Sequence, residues 1–173
     1  MSRLPILEYP DSRLREKAVP VTEFGQTLRE QVEDLVETLC ASRAIGLAAP
    51  QTGRNARIIV VDASGSGSSP MPYINPRITE RHLWAVVEES CLSLPGLEGR
   101  VKRCLRLTVE AQDIYGTPFT RQLEDMDAVV VQHEIDHLEG VLFVDRLPRW
   151  RQLAWRWRNR HRTFSGVHET FHG

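Results

Sequence analysis

The stretch "QHEIDHLEG" (132–140) sets His133 and His137 four positions apart, with Glu134 directly after the first histidine. On a helix such positions share one face, with Cβ atoms about 5–6 Å apart, so both imidazoles can converge on one metal ion at about 2.0–2.1 Å. Glu134 is turned one residue away from that pair, where it can take a proton from a water molecule. The composition gives a chance His-Glu-x-x-His an expectation of only about 0.02 per chain. The plain alternative is a half-buried, hydrogen-bonded histidine pair beside a solvated glutamate. Against it stands "AVVV" (128–131), which makes this a buried helix, and charged or polar groups inside a core need partners.

A catalytic centre needs a third protein ligand and an open position. Downstream candidates are weak: Gly140 fits a metzincin-like pattern, but Phe143 stands where the third histidine belongs, and Glu169 lies far out in the tail. Upstream, "EESCLSLPG" (88–96) offers Cys91 in a polar loop just after a strand. A thiolate with two imidazoles suits Zn²⁺ or Fe²⁺, so Cys91 is the expected third ligand, which argues against the common metalloproteases. The other thiols, Cys40 and Cys104, read as reduced residues on a helix face and a strand edge. Three cysteines without repeated spacing make no disulfide framework.

The elements that must position these groups are legible in outline. Phe24, Leu28, Val32, Leu35, Val36 and Leu39 recur at helical spacing, with Thr22 or Thr27 as candidate caps. "ARIIVVDA" (56–63) reads as a buried strand, and "YINPRITE" and "LWAVVEE" as two more, with Pro76 at an edge or bulge. Residues 104–124 alternate and turn at "YGTP", a hairpin. The motif helix is expected to be capped by Asp125 or Asp127 and ended by Gly140. A short strand "VLFVD" and a last helix over 148–163 follow. The expected class is α+β in one domain spanning 1–173: antiparallel sheets around a central motif helix, an early amphipathic helix and a basic C-terminal helix.

With 173 residues, 41% hydrophobic and 26% charged, the chain has ordinary globular composition. No apolar run approaches the roughly 18 residues of a membrane span, and the first residues lack signal-peptide character, so a cytoplasmic protein is expected, with an organelle as the alternative. Net charge is −1, yet residues 146–162 hold seven arginines and no acid. That asymmetry points to a polyanionic partner.

Three motifs stand in order: "AIGLAAPQ" (44–51), "ESCLS" (89–93) and "QHEIDHLEG". Together they resemble the peptide deformylases, which remove the formyl group from nascent formylmethionyl chains, and the likeness covers nearly the whole sequence. The resemblance implies one divalent ion, Fe²⁺ natively with Zn²⁺, Ni²⁺ or Co²⁺ as alternatives, held by Cys91, His133 and His137. It implies Glu134 as general base and acid, and an oxyanion bound by the Gln51 amide and the Leu92 backbone N–H. Gly46 is expected to offer its backbone to the peptide, and Ile45, Val87, Met126, Val129 and Val130 to shape the methionine pocket. Glu89 is expected to orient His133, and Arg103 to pair with Asp136. Alone, Gln51 would read as a loop amide, and the apolar positions as core.

The chain departs from the family pattern at three places. Ala44 replaces a glycine, which would strain the loop if its φ were positive. Ser90 replaces a glycine in the second motif, and Glu98 falls near a usual arginine. These bear on substrate range; a hydrolase of another amide is the rival that Ala44 and Glu98 favour. A general metalloprotease is disfavoured by Cys91, and a non-catalytic RNA-binding protein by the intact ligand set. In the tail, Trp150, Leu153 and Trp157 form one stripe. The expectation is that they pack on the body while the arginines dock on ribosomal RNA. No sequence-specific nucleic acid and no membrane partner is expected.

Overall fold

The computed structural model describes residues 3–159. Leu28, Val32, Leu35 and Leu39 bury one face of α1 (Gln26–Ser42), as their spacing dictates, against Ile58 and Val60. Neither Thr22 nor Thr27 caps it; the helix starts from the extended backbone of Gly25, and Thr27 lies inside its first turn. Then come β1 (Gly46–Ala48), a 3-10 turn (Ala49–Thr52), β2 (Ile58–Val61), β3 (Met71–Ser90), β4 (Glu98–Gln112) and β5 (Pro118–Glu124). They form one antiparallel sheet in the order β1-β2-β3-β4-β5, so the class is α+β but the expected plural sheets are continuous. The reason is β3. The two strands expected within it are one 20-residue strand, because the irregularity at Pro76 is absorbed as a register shift between Ile74 and Arg77 while pairing with β4 continues.

The motif helix α2 (Asp125–Leu138) packs against β1, β2, β4 and β5 through Val130, Val131 and Leu138. Its N-cap is Glu124, whose side chain makes no capping bond; Asp125 and Asp127 sit in the first turn, where their charges favour the helix dipole. One side chain sets its rotation. Beyond the last β4–β5 pair, Arg106 with Glu124, the Gln132 amide accepts from the Cys104 N–H (3.0 Å) and donates to the Cys104 carbonyl (2.7 Å). Gln132 thus replaces a strand at that open edge, and it directly precedes His133.

Gly140 ends α2 with φ +70, and the Val141 N–H returns to the Asp136 carbonyl. The expected strand "VLFVD" is instead a 3-10 turn (Phe143–Arg146). The Leu142 N–H donates to the Asp145 carboxylate (2.9 Å) and the Asp145 N–H to the Leu142 carbonyl (2.9 Å), which closes the chain into a turn. Next is α3 (Arg149–Asn159), just after Pro148 as expected; residues 160–163 of the predicted helix, with Arg160 and Arg162, lie outside the described residues, as does Glu169. Among the described residues no helix is long and apolar enough to cross a membrane.

A Cβ at Gly140 would lie 2.4 Å from the Arg15 carbonyl oxygen, on top of the positive φ. Gly140→Ala is therefore expected to lower stability by about 2–4 kcal/mol, read by chemical denaturation. An unchanged midpoint would show that the N-terminal segment does not hold α2 at this point.

Candidate metal centre and active site

One turn of α2 places His133 and His137 side by side, rings edge-to-face at 5.1 Å, and the chain leaving β3 places Cys91 against them. The Cys91 Sγ lies 3.2 Å from His137 Nε2, and one donor atom from each of the three residues falls within 4.8 Å of the others. His133 Nδ1 is engaged by Glu89 Oε2 at 2.8 Å, which leaves Nε2 for the centre. A sulfur and two imidazole nitrogens, gathered in the core on separate elements, fit a borderline-soft divalent ion.

Glu89 is itself held. The Arg103 guanidinium grips both its oxygens (2.6 and 2.9 Å) and donates through Nη1 to Asp136 Oδ2 at 2.6 Å. Asp136 also pairs with Arg146. Burial pushes the Glu89 carboxyl up, but hydrogen bonds from His133 and Arg103 outweigh it and hold the group at about 2. Burial opposes protonation of His133, while hydrogen bonds to Cys91 and Glu89 raise its pKa well above the ordinary value; burial lowers that of His137. Arg146 was counted with the basic tail; it belongs to this network.

Glu134 is 3% exposed, and its Oε2 has no hydrogen-bond partner among the described residues. Burial pushes its carboxyl up to about 7, with the charge of His133 pulling the other way. Oε1 rests on Gly46, where an added Cβ would meet it at 2.4 Å. The glycine in "AIGLAAPQ" is therefore a steric requirement of the glutamate in "QHEIDH". From the turn after β1, Gln51 accepts from the Ala48 N–H (2.8 Å), which fixes the amide so that Nε2 points to Ser93 Oγ (3.2 Å) and Cys91 Sγ (3.7 Å).

A cleft of about 500 Å³ opens beside these groups. Ile45, Gly46, Gln51, Leu92, Met126, Val129 and Val130 line it, together with Glu89, Cys91, His133 and Glu134. Val87 is not among the lining residues. It is half-buried on the same face of β3 as Glu89, against the cluster that holds Leu14, Leu94, Val101 and Phe143. Glu98 does not line the cleft, whereas Ser90 does. Ala44 has no positive φ; the left-handed residue is Arg43 (φ 52) at the end of α1, so the expected strain at Ala44 does not arise. Ser93 and Arg43 escaped the sequence reading, although Ser93 stands inside the quoted motif "ESCLS".

The geometry finds close counterparts in known proteins. Residues 3–152 match the polypeptide deformylase family. The chain belongs to that family. Its members are metal-dependent hydrolases that remove the formyl group from the N-terminal methionine of nascent peptides. A peptide deformylase of Alkalilimnicola ehrlichii is 45% identical over 88% of this chain and 86% of its own length, and one of Chromobacterium violaceum 43% identical over 88% and 91%. A crystal structure of a peptide deformylase from Legionella pneumophila superposes with a TM-score of 0.85 at 37% identity, covering 94% of this chain and all of the other.

Two substitutions probe the deformylase site. Arg103→Met leaves Glu89 and Asp136 buried without their shared cation and is expected to cost about 3–5 kcal/mol in denaturation, with weakened metal retention. Gly46→Ala displaces the Glu134 carboxylate and is expected to lower kcat about 10²-fold with metal content unchanged. A parental rate would mean that Glu134 need not lie against Gly46.

Proposed function

We propose that this chain hydrolyses the formamide of formylmethionyl peptides, acting as one catalytic domain. Cys91, His133 and His137 hold one divalent ion, Fe²⁺ by resemblance to the family. That ion supplies Lewis acidity for the formyl carbonyl and makes water a competent nucleophile near neutral pH.

The chain's own groups do the rest. Glu134 takes a proton from the attacking water and delivers it to the leaving amine, so formate and a free N-terminal methionine result. A carboxyl poised near 7 is well matched to both halves of that task. The Gln51 amide, oriented through Ala48, and the Leu92 N–H bind the oxygen that becomes negative; a single such donor is worth on the order of 3 kcal/mol. Gly46 lies in β1, the edge of the sheet, where an extended peptide can pair with the backbone. Ile45, Met126, Val129 and Val130 form the apolar wall for the methionine side chain. Behind them Glu89, Arg103 and Asp136 hold His133 in place.

The observation that carries this reading is the buried Glu134 carboxyl, its Oε2 without a partner among the described residues, in the cleft lined by two of three clustered metal donors, Cys91 and His133. The exposed Arg149, Arg151, Arg156 and Arg158 support an anionic partner for α3.

The direct test is formate release from a formyl-Met tripeptide by anaerobically prepared, Fe²⁺-loaded protein beside Glu134→Ala. The expected loss is about 10²–10⁴-fold in kcat at equal metal content. No formate from the parent removes the activity; undiminished release by the variant removes Glu134 from its role.

A further inference from the structure

The expected orientation of the C-terminal helix is reversed in the fold. Trp155, outside the predicted stripe, is the buried tryptophan: it is 6% exposed and stacks on Tyr9 with ring centroids 4.5 Å apart. Gln152, on the same side, donates to the carbonyls of Asp145 (2.9 Å) and Leu147 (2.7 Å). These contacts fix which side of α3 faces the body. Trp150, Leu153 and Trp157, three and seven positions along, then form one strip on the outer side, 66%, 66% and 64% exposed.

Arginines border that strip on both edges. Arg149 and Arg156 lie seven apart along one edge, Arg151 and Arg158 along the other, all exposed. Arg151 also rests 5.2 Å over the Trp150 ring. An outermost apolar strip with cationic flanks is how a helix lies in the plane of a lipid interface: aromatic and aliphatic side chains enter the acyl boundary while guanidinium groups stay at phosphate level.

We propose that α3 docks on an anionic lipid bilayer, with Trp150, Leu153 and Trp157 inserted and Arg149, Arg151, Arg156 and Arg158 paired with headgroup phosphates. Other occupants fit less well. A nucleic-acid backbone takes up the cations but offers no apolar surface for the strip between them. A second copy of the chain would bring arginine rows against arginine rows, with no acid between residues 146 and 162 to relieve them. The proposal is independent of the deformylase reading, since no α3 residue lines the cleft.

The test is co-sedimentation of the full chain with vesicles of phosphatidylethanolamine and phosphatidylglycerol, with vesicles of phosphatidylcholine alone, and with purified ribosomes. Binding to the anionic vesicles is expected to exceed that to phosphatidylcholine by at least about tenfold. The double substitution Trp150→Ser with Leu153→Ser keeps the net charge and is expected to lose at least about tenfold of it, at unchanged helical signal and formate release. Arg156→Gln with Arg158→Gln is expected to weaken binding most at low salt. No uptake by anionic vesicles, uptake indifferent to the serine pair, or uptake by ribosomes alone would each overturn the proposal.

Discussion

Arg103, 2% exposed, sits between two buried carboxylates, and the metal donors depend on that arrangement. It joins Glu89 at the end of β3 to Asp136 on α2, and Asp136 continues to Arg146 beyond the helix. Taking such charges out of water costs several kcal/mol per ion, which only close, multidentate pairing offsets. Because Glu89 is gripped by both oxygens, it can hold His133 in one orientation. Because Asp136 is gripped too, α2 cannot rotate or slide without breaking a buried pair. One guanidinium therefore fixes both the aim of a ligand and the position of the helix that carries two of them.

A second constraint comes from the N-terminal segment. The Leu7 N–H donates to the Gln51 carbonyl (2.7 Å), Tyr9 to the Ser93 carbonyl (2.8 Å) and Ala18 to the Leu138 carbonyl (2.8 Å). The segments bearing the Gln51 amide, the Cys91 sulfur and the two imidazoles are thus tied to one strip of chain. The sheet edge at β1 and the Gln132 contact to Cys104 complete the frame. The groups of the candidate site sit on rigid elements and are braced from several sides, which is the condition for keeping reacting atoms within a fraction of an ångström.

Much of this was legible because it depends on side-chain identity and spacing. The two histidines, the glutamate and the thiol announced their chemistry; the periodicity of α1, the β4–β5 hairpin and the Pro76 bulge followed from local patterning. What stayed hidden depends on features that side chains do not encode. The N-terminal ties use backbone donors, available to almost any residue. The continuity of β3 is decided by its partner strand. "VLFVD" has strand-like composition, yet the reciprocal bonds between Leu142 and Asp145 (both 2.9 Å) make a turn. The α3 stripe shows the same limit: periodicity finds an apolar face but does not say what the face meets.

The central claim is that Cys91, His133 and His137 meet on a single ion. X-ray absorption at the metal edge of the loaded protein tests it most directly. One sulfur and two imidazole nitrogens in the ion's coordination shell, with the sulfur lost in Cys91→Ala, is the predicted result. A shell of nitrogen and oxygen alone in the parent protein would contradict it.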